Sequence, residues 1–254
     1  MQLKFYITSG LLFAGLLLSA QPMREHPPKE EPRNKGKAIL AHLEFATHLP
    51  GSDLADRFGL DGGVGLGGEL ITAHNLIFGV EGQFYFGTKV KEDPLAILRT
   101  PEGDLIGKDL TLASVPLHQR GWYVGGLIGK LITFSGERSG LRLTLGAGMT
   151  QHKIRVQDDQ SALTQITGDY GKGYDRLTGG LALQQFIGWQ KLGKNRRVNF
   201  MIGFEFNQGF THTLRDWDFS EQRKLDGQRM DLRMGIRAAW TIPFYIGNAE
   251  GIYY

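Results

Sequence analysis

The chain has 254 residues, a formal net charge of +3, 36 glycines and no cysteine. The absence of cysteine excludes disulfides, thiolate metal sites, a cysteine nucleophile and a lipid anchor on an N-terminal cysteine. The positive charge is small and scattered, without a basic stripe or a phosphate-binding glycine loop, which excludes nucleic acid as a partner. Glycine is about twice as frequent as usual. Because the glycines lie inside apolar runs, they indicate closely packed, curved sheet.

The N-terminal segment, residues 1–20, has the pattern of a secretory signal peptide. Lys4 supplies the positive start, residues 7–18 are mostly apolar, and Ser19-Ala20 forms a small-residue cleavage site. An uncleaved membrane anchor is the alternative. The apolar run is shorter than the roughly 20 residues that span a bilayer, so we expect export followed by cleavage.

A flexible periplasmic tether is predicted next, over residues 21–36. This stretch contains four prolines and many charged residues and has little to bury. The folded part is predicted to cover residues 37–245, followed by a C-terminal tail at 246–254.

Alternation with a period of two residues is the strongest structural signal. In residues 198–207 one face is large and apolar, whereas the other is small, polar or charged, which is typical of a strand. The same pattern occurs in residues 39–46, 76–86, 141–150 and 231–242, and more weakly in 64–70, 120–131 and 177–189. The pattern leaves open which face of 120–131 points outward. In 177–189 we expect Leu181, Leu183, Ile187 and Trp189 to point outward.

Eight strands are an even number, as expected of a closed antiparallel barrel that spans a membrane. The predicted connections alternate in length. The long ones cover residues 50–62, 87–119, 157–176 and 211–229, and the short ones cover 73–75, 132–139 and 190–197. Long outer loops and short periplasmic turns are typical of transmembrane barrels. We also expect a short helical turn at 53–58, with His118 and His212 in loops.

Which face points outward decides between two kinds of protein. In a soluble β-sandwich or lipocalin-like barrel the apolar face would be the interior. The charges favour the opposite assignment, because an eight-stranded lumen is just wide enough for side chains and buried charges must pair. We therefore predict a charge network that fills the lumen and leaves no wide channel. Its predicted members are Glu44, Glu69, Glu81, Arg142, Glu205, Asp231, Arg233 and Arg237, with His42 and His152 nearby.

Aromatic residues near the strand ends favour the same assignment. Aromatic side chains are enriched where a bilayer meets water, although core aromatics are an alternative explanation. The residues concerned are Trp122, Tyr123, Trp189, Trp240, Phe244 and Tyr245.

These features together resemble the small outer-membrane β-barrel superfamily, of the OmpA and PorT types. The segments PGSDLADRFG (50–59), GAGMTQHKIR (146–155) and GDYGKGYDRLTGG (168–180) resemble a barrel family of the Bacteroidota with no agreed activity. The resemblance covers about residues 37–245. It implies the fold and an outer-membrane location in a Gram-negative bacterium, and it transfers no residue roles.

Two function classes follow. The first is a non-enzymatic barrel that acts through its loops as a structural or accessory subunit of an outer-membrane assembly or secretion complex. The second is a lipid hydrolase or acyltransferase within the barrel, which needs a histidine, an acid and a hydroxyl together. Its candidates are His42 with Glu44, His48 with Ser52 and Asp53, and His152 with Thr150. Their spacing specifies no triad, so we assign no catalytic residue, cofactor or metal ligand. The expected partners are outer-membrane lipid and a possible protein complex.

Overall fold

The computed structural model describes residues 36–134, 138–158, 162–193 and 198–246. The predicted signal peptide, residues 21–35 of the predicted tether and residues 247–254 of the predicted tail lie outside the described residues. Within the described ranges, no helix has both the length and the apolar character needed to cross a membrane.

The described residues form strands joined by turns and one short α-helix. In chain order the elements are β1 (Lys37–Ser52), α1 (Asp53–Arg57), β2 (Asp61–Ile71), β3 (Leu76–Gly87), β4 (Leu105–Ile106), β5 (Leu112–Ala113), β6 (Leu117–Thr133), β7 (Ser139–Val156), β8 (Thr178–Leu192), β9 (Asn199–Thr213) and β10 (Gln228–Ile246). Short 3₁₀ turns occur at Ala96–Leu98, Thr164–Ile166 and Gly168–Gly173.

Eight of these strands close into a barrel in the order β1-β10-β9-β8-β7-β6-β3-β2. All neighbours are antiparallel, and β1 pairs with both β2 and β10, so that Leu43 lies opposite Leu66 on one side and Trp240 on the other. Closure leaves no barrel strand with an unpaired edge. The predicted fold, an eight-stranded antiparallel barrel of the transmembrane type, is confirmed.

Several strands are longer than predicted, and the largest extensions, in β1, β7 and β9, lie at the end that carries the long loops. β7 continues to Val156 and β9 to Thr213, whereas the apolar alternation fades near residues 150 and 207. The extensions carry polar side chains on both faces, which removes the contrast on which the prediction depended. As a consequence His118 and His212 lie on strands, and their predicted location in loops is wrong.

The short and long connections segregate to opposite ends of the barrel. Residues 72–75 join β2 to β3, whereas residues 88–116 join β3 to β6 and include the β4-β5 hairpin. The predicted helical turn after β1 is α1. At the end of the barrel that carries the long connections, side chains of α1 and of the loops pack into two small apolar clusters over the lumen. One is built around Leu54 and Phe58, and the other around Leu95 and Tyr174.

The outer face of the barrel is apolar and exposed. The weak strand 177–189 turns Leu181, Leu183, Ile187 and Trp189 outward as predicted, and on β6 the outward residues include Trp122 and Ile128. The prediction for two of the aromatics is wrong. Tyr123 is fully buried in the lumen, and Tyr245 packs against the apolar cluster of Leu40 and Ile71 at the short-turn end.

The apolar outer surface has the height of a membrane. On β3 it runs from Leu76 to Phe86, residues ten positions apart. That distance is about 34 Å along the strand, or about 26 Å along the barrel axis at a typical tilt near 40°. Outer-membrane barrels carry an apolar band about 25 Å tall.

Candidate functional site

The lumen is filled by polar and charged side chains, which lie in successive layers. Nearest the short turns, the guanidinium of Arg142 binds Glu69 with both terminal nitrogens, one of them 2.8 Å from Oε2. His42 lies between two partners, with Nδ1 2.9 Å from Thr241 Oγ1 and Nε2 2.9 Å from Glu69 Oε2. Gln190 Oε1 accepts a further hydrogen bond from Arg142. This layer is compact and excludes solvent.

Arg237 forms the central layer and contacts three carboxylates. Its Nη1 donates to Glu81 at 2.9 Å and to Glu44 at 3.3 Å, and its Nε lies 3.0 Å from Glu205 Oε2. The guanidinium also stacks over Phe186, 4.6 Å from the ring centroid. Arg237 is fully buried, so these carboxylates and not water compensate its charge.

His48 joins the central layer to the next one. Its Nδ1 is 2.9 Å from Asp61 Oδ1 and its Nε2 is 3.3 Å from Glu205 Oε1. Asp61 also accepts from Arg233 at 3.2 Å, and Arg233 lies over the ring of Tyr85 at 4.1 Å. Because both ring nitrogens of His48 face carboxylates, the geometry fits an imidazolium that donates from each.

The layer nearest the long loops holds His152 and Asp231. His152 Nε2 is 2.8 Å from Asp231 Oδ2, and the same oxygen accepts from the hydroxyl of Thr211 at 2.5 Å. Phe58, which follows α1, packs edge-on against the His152 ring with centroids 5.6 Å apart. The loop end of the lumen is therefore closed by an aromatic side chain from the first connection.

Across the described lumen, carboxylates outnumber arginines. The carboxylates are Glu44, Glu69, Glu81, Glu205, Asp61 and Asp231, and the arginines are Arg142, Arg233 and Arg237. Each of the three lumen histidines contacts a carboxylate of this set. His48, whose two ring nitrogens both face carboxylates, is positioned to supply part of the missing positive charge, and Arg229, 3.6 Å from Asp231, supplies more. An uncompensated buried charge would cost several kcal/mol.

Glycine makes room for these large side chains within a narrow barrel. The Tyr123 ring lies against Gly125, where a Cβ atom would overlap the tyrosine hydroxyl, and Glu69 crosses Gly79, where a Cβ atom would come within 2.6 Å of its Cγ. The high glycine content thus has a packing explanation at the inner face of the wall.

The catalytic alternative gains no support from the geometry. His42 does lie between an acid and a hydroxyl, but it is 3% exposed and Thr241 is 0% exposed. His48 contacts Asp61 and Glu205, whereas Asp53 accepts a hydrogen bond from the backbone of Met230. A nucleophile sealed among ion pairs has no access to a substrate.

Above the lumen, the loops carry an ion-pair network of their own. Arg176 lies 3.2 Å from both Glu92 and Asp218, and Arg57 donates to Glu92 at 2.6 Å. Burial raises the pKa of Asp218 above its usual range despite Arg176, and burial lowers the pKa of Arg57. This network ties the first, second, third and fourth connections together across the barrel mouth.

Sequence reasoning missed Asp61 and the lumen role of His48. The predicted second strand begins at Val64, three residues late, and the predicted long connection 50–62 includes Asp61. The two-residue alternation of side chains along a strand could have identified Asp61 as a lumen residue, since residues 61, 63, 65, 67 and 69 share one face of β2. Within the described ranges no cluster of three metal-ligating side chains occurs.

No protein-family model and no curated protein sequence matches the chain. Among solved structures, the chain is similar to Neisserial surface protein A, with a TM-score of 0.38 and 12% identity over 81% of this chain and 96% of that one. It is also similar to Ail, the attachment invasion locus protein of Yersinia pestis, with a TM-score of 0.37 and 13% identity over 82% and 99%. For the N-terminal β-barrel domain of Pseudomonas aeruginosa OprF the TM-score is 0.33 and the identity 8%, over 80% of this chain and 97% of that one. The fold assignment rests on the strand pairing, and the resemblance to a Bacteroidota family stays a prediction.

Proposed function

We propose that this protein is an integral outer-membrane barrel of a Gram-negative bacterium, exported by a cleaved signal peptide, whose side-chain-filled lumen conducts nothing. One observation carries the proposal: charged side chains are buried inside the barrel while large apolar side chains are exposed outside it. Phe204 is 67% exposed and its neighbour Glu205 is 2% exposed. Water would oppose this arrangement, whereas acyl chains favour it.

The lumen network acts as a stability plug in this proposal. Ion pairs between Arg142 and Glu69 and between Arg237 and its carboxylates tie together strands that are far apart in the barrel. A side-chain-filled interior leaves the long loops as the surface available for partners. The protein therefore acts without catalysis, as a structural or accessory subunit of an outer-membrane assembly or secretion complex.

Membrane embedding is tested by fractionation and heat modifiability. The full chain, expressed with its own N-terminus, is expected in the outer-membrane fraction and should migrate faster on unheated SDS gels than after boiling, because a closed barrel resists SDS. Recovery of the processed chain from the periplasm without detergent would contradict the proposal.

The accessory role needs a separate experiment. Crosslinking in intact cells, followed by purification from solubilised outer membrane, should recover a stoichiometric partner. Replacement of residues 102–110 by a short glycine-serine linker should abolish that recovery and leave the heat shift unchanged. A monomeric protein with no crosslinked partner would remove the accessory role, and a changed acyl-chain pattern in the lipids of a deletion strain would favour the enzyme.

A further inference from the structure

The outer faces of β6 and β7 change from apolar to basic at the loop end of the barrel. Trp122 is exposed on β6 and lies opposite Gln151 on β7. One step further toward the loops on this face, Arg120 lies opposite Lys153, and one step beyond that His118 lies opposite Arg155. Outward residues on one strand are about 7 Å apart, so Arg120, Lys153 and Arg155 lie within about 15 Å of the indole.

Aromatic side chains on the neighbouring strand fix the level of this change. Phe86 on β3 lies opposite Arg120, and its ring is stacked with that of Phe84, with centroids 6.4 Å apart. In an embedded barrel, aromatic rings occupy the boundary between acyl chains and headgroups. Arg120 and Lys153 therefore lie at this boundary, and Arg155, one step further out, lies at the level of headgroup phosphates.

A concave pocket of about 410 Å³ adjoins this basic row. It lies along the outer side of the β7 extension and beneath the third long connection. Four cations and two acids line it: Lys153, Arg155, Lys172, Arg215, Asp158 and Asp175. Its size is in the range of small-ligand sites, so it could enclose a phosphorylated sugar.

The two acids of the pocket are already engaged. Asp158 accepts hydrogen bonds from the backbone nitrogens of Ala162 and Leu163, and Asp175 accepts two from Arg215, at 2.9 and 2.6 Å. Among the pocket cations, Arg215 is paired with Asp175 and Lys172 with Asp169, 2.5 Å away. Lys153 and Arg155 are therefore the two that remain for an added anion.

Two cations of the basic row are left without an acid. In the part of the chain that the structure describes, Arg155 has no ion-pair partner, and Arg120 donates only to the carbonyl of Gln119. Lys153 is 3.9 Å from Asp175, at the limit of an ion pair. Guanidinium and ammonium groups in this arrangement favour a phosphate ligand.

We propose that this pocket, together with Arg120, binds the phosphate groups of a phosphorylated glycolipid in the outer leaflet. The inference rests on the proposed membrane embedding, because only an embedded barrel brings the pocket to headgroup level. The inference adds a specific lipid ligand to the proposed function. It also assigns ordered outer-leaflet lipid to the side of the barrel formed by β6 and β7.

The test uses the purified full chain in vesicles that contain either bisphosphorylated lipid A or the same glycolipid without phosphates. Native mass spectrometry after detergent release counts retained glycolipid. The wild-type protein should retain the phosphorylated form selectively. The double variant Lys153→Gln/Arg155→Gln should retain it about 25-fold less, at about fivefold for each cation removed.

A matched control removes two cations elsewhere in the loops, with Arg223→Gln/Lys224→Gln, and should retain glycolipid like the wild type. Equal losses in both double variants, or equal retention of both glycolipids, would overturn the inference. Displacement of the bound lipid by millimolar inorganic phosphate alone would also overturn it, because the site would then be one for free phosphate.

The heat shift is measured first on every variant. If the wild-type chain shows no heat shift, both the proposed embedding and this inference are wrong. A normal heat shift without phosphate selectivity removes only this inference. If the double variant loses its own heat shift, the single variant Arg155→Lys, which retains the charge, should keep near wild-type selectivity, and Arg155→Gln should lose about fivefold.

Discussion

On β9, adjacent residues occupy opposite environments. Glu205 lies in the lumen within ion-pair distance of Arg237 and His48, whereas Phe204 lies on the outer face with two thirds of its surface exposed. A water-soluble barrel would reverse the two environments. The inner face is therefore held by charge compensation and close packing, whereas the outer face depends on an apolar solvent. Mutations can test the two rules separately.

The largest effect is expected from Arg237→Met. The substitution keeps much of the volume but leaves Glu44, Glu81 and Glu205 without their shared cation. Breaking a buried ion pair in this way costs about 3–5 kcal/mol. Urea unfolding in lipid vesicles measures the loss. The exposed Arg223→Met is the control and should change the free energy of unfolding by about 0.5 kcal/mol or less; equal losses would show that the lumen charges are not coupled.

The outer face is tested by Phe204→Arg against Tyr170→Arg. Both side chains are 67% exposed, but Phe204 lies on the barrel wall and Tyr170 in a loop. An arginine near the bilayer midplane costs about 2–4 kcal/mol, whereas one in a loop costs about 0.5 kcal/mol or less. The same unfolding assay applies. If the two variants behave alike, the wall at Phe204 faces water.

Packing in the lumen is tested by two neighbouring glycines. Gly125 faces the lumen beneath Tyr123, and Gly126 faces outward, where an added Cβ atom would lie 3.8 Å from its nearest neighbour. We expect Gly125→Ala to lose about 1–3 kcal/mol through overpacking and Gly126→Ala to lose less than about 0.5 kcal/mol. A reversed order would mean that the faces of β6 are assigned the wrong way round.

The smallest effect is expected from Tyr123→Phe. Among the described residues, the buried hydroxyl of Tyr123 has no hydrogen-bond partner, so its removal should change stability by about 0.5 kcal/mol or less, or increase it. Thr241→Val removes the hydroxyl that contacts His42 Nδ1 and should cost about 1 kcal/mol. A large loss of unfolding free energy in Tyr123→Phe would mean that the hydroxyl forms a hydrogen bond in the folded protein in solution.

The sequence predicted the strands and their faces wherever apolar and polar residues alternate, as in residues 198–207. It failed where that contrast ends. The loop-end extensions of β7 and β9 carry polar side chains on both faces, and residues 61–63 show no contrast because two glycines follow Asp61. Pairings such as His48 with Asp61 depend on register between strands, which alternation within one strand cannot fix.

Strand facing in the membrane can be measured directly because the chain has no native cysteine. Single cysteines at residues 181, 182, 183 and 184 carry a nitroxide, and its accessibility to oxygen and to a water-soluble nickel complex is measured in vesicles. Leu181 and Leu183 are exposed and Ala182 and Gln184 are buried. We expect high oxygen and low nickel accessibility at 181 and 183 only. High nickel accessibility at 181 and 183 would contradict it, because these side chains would then lie in water.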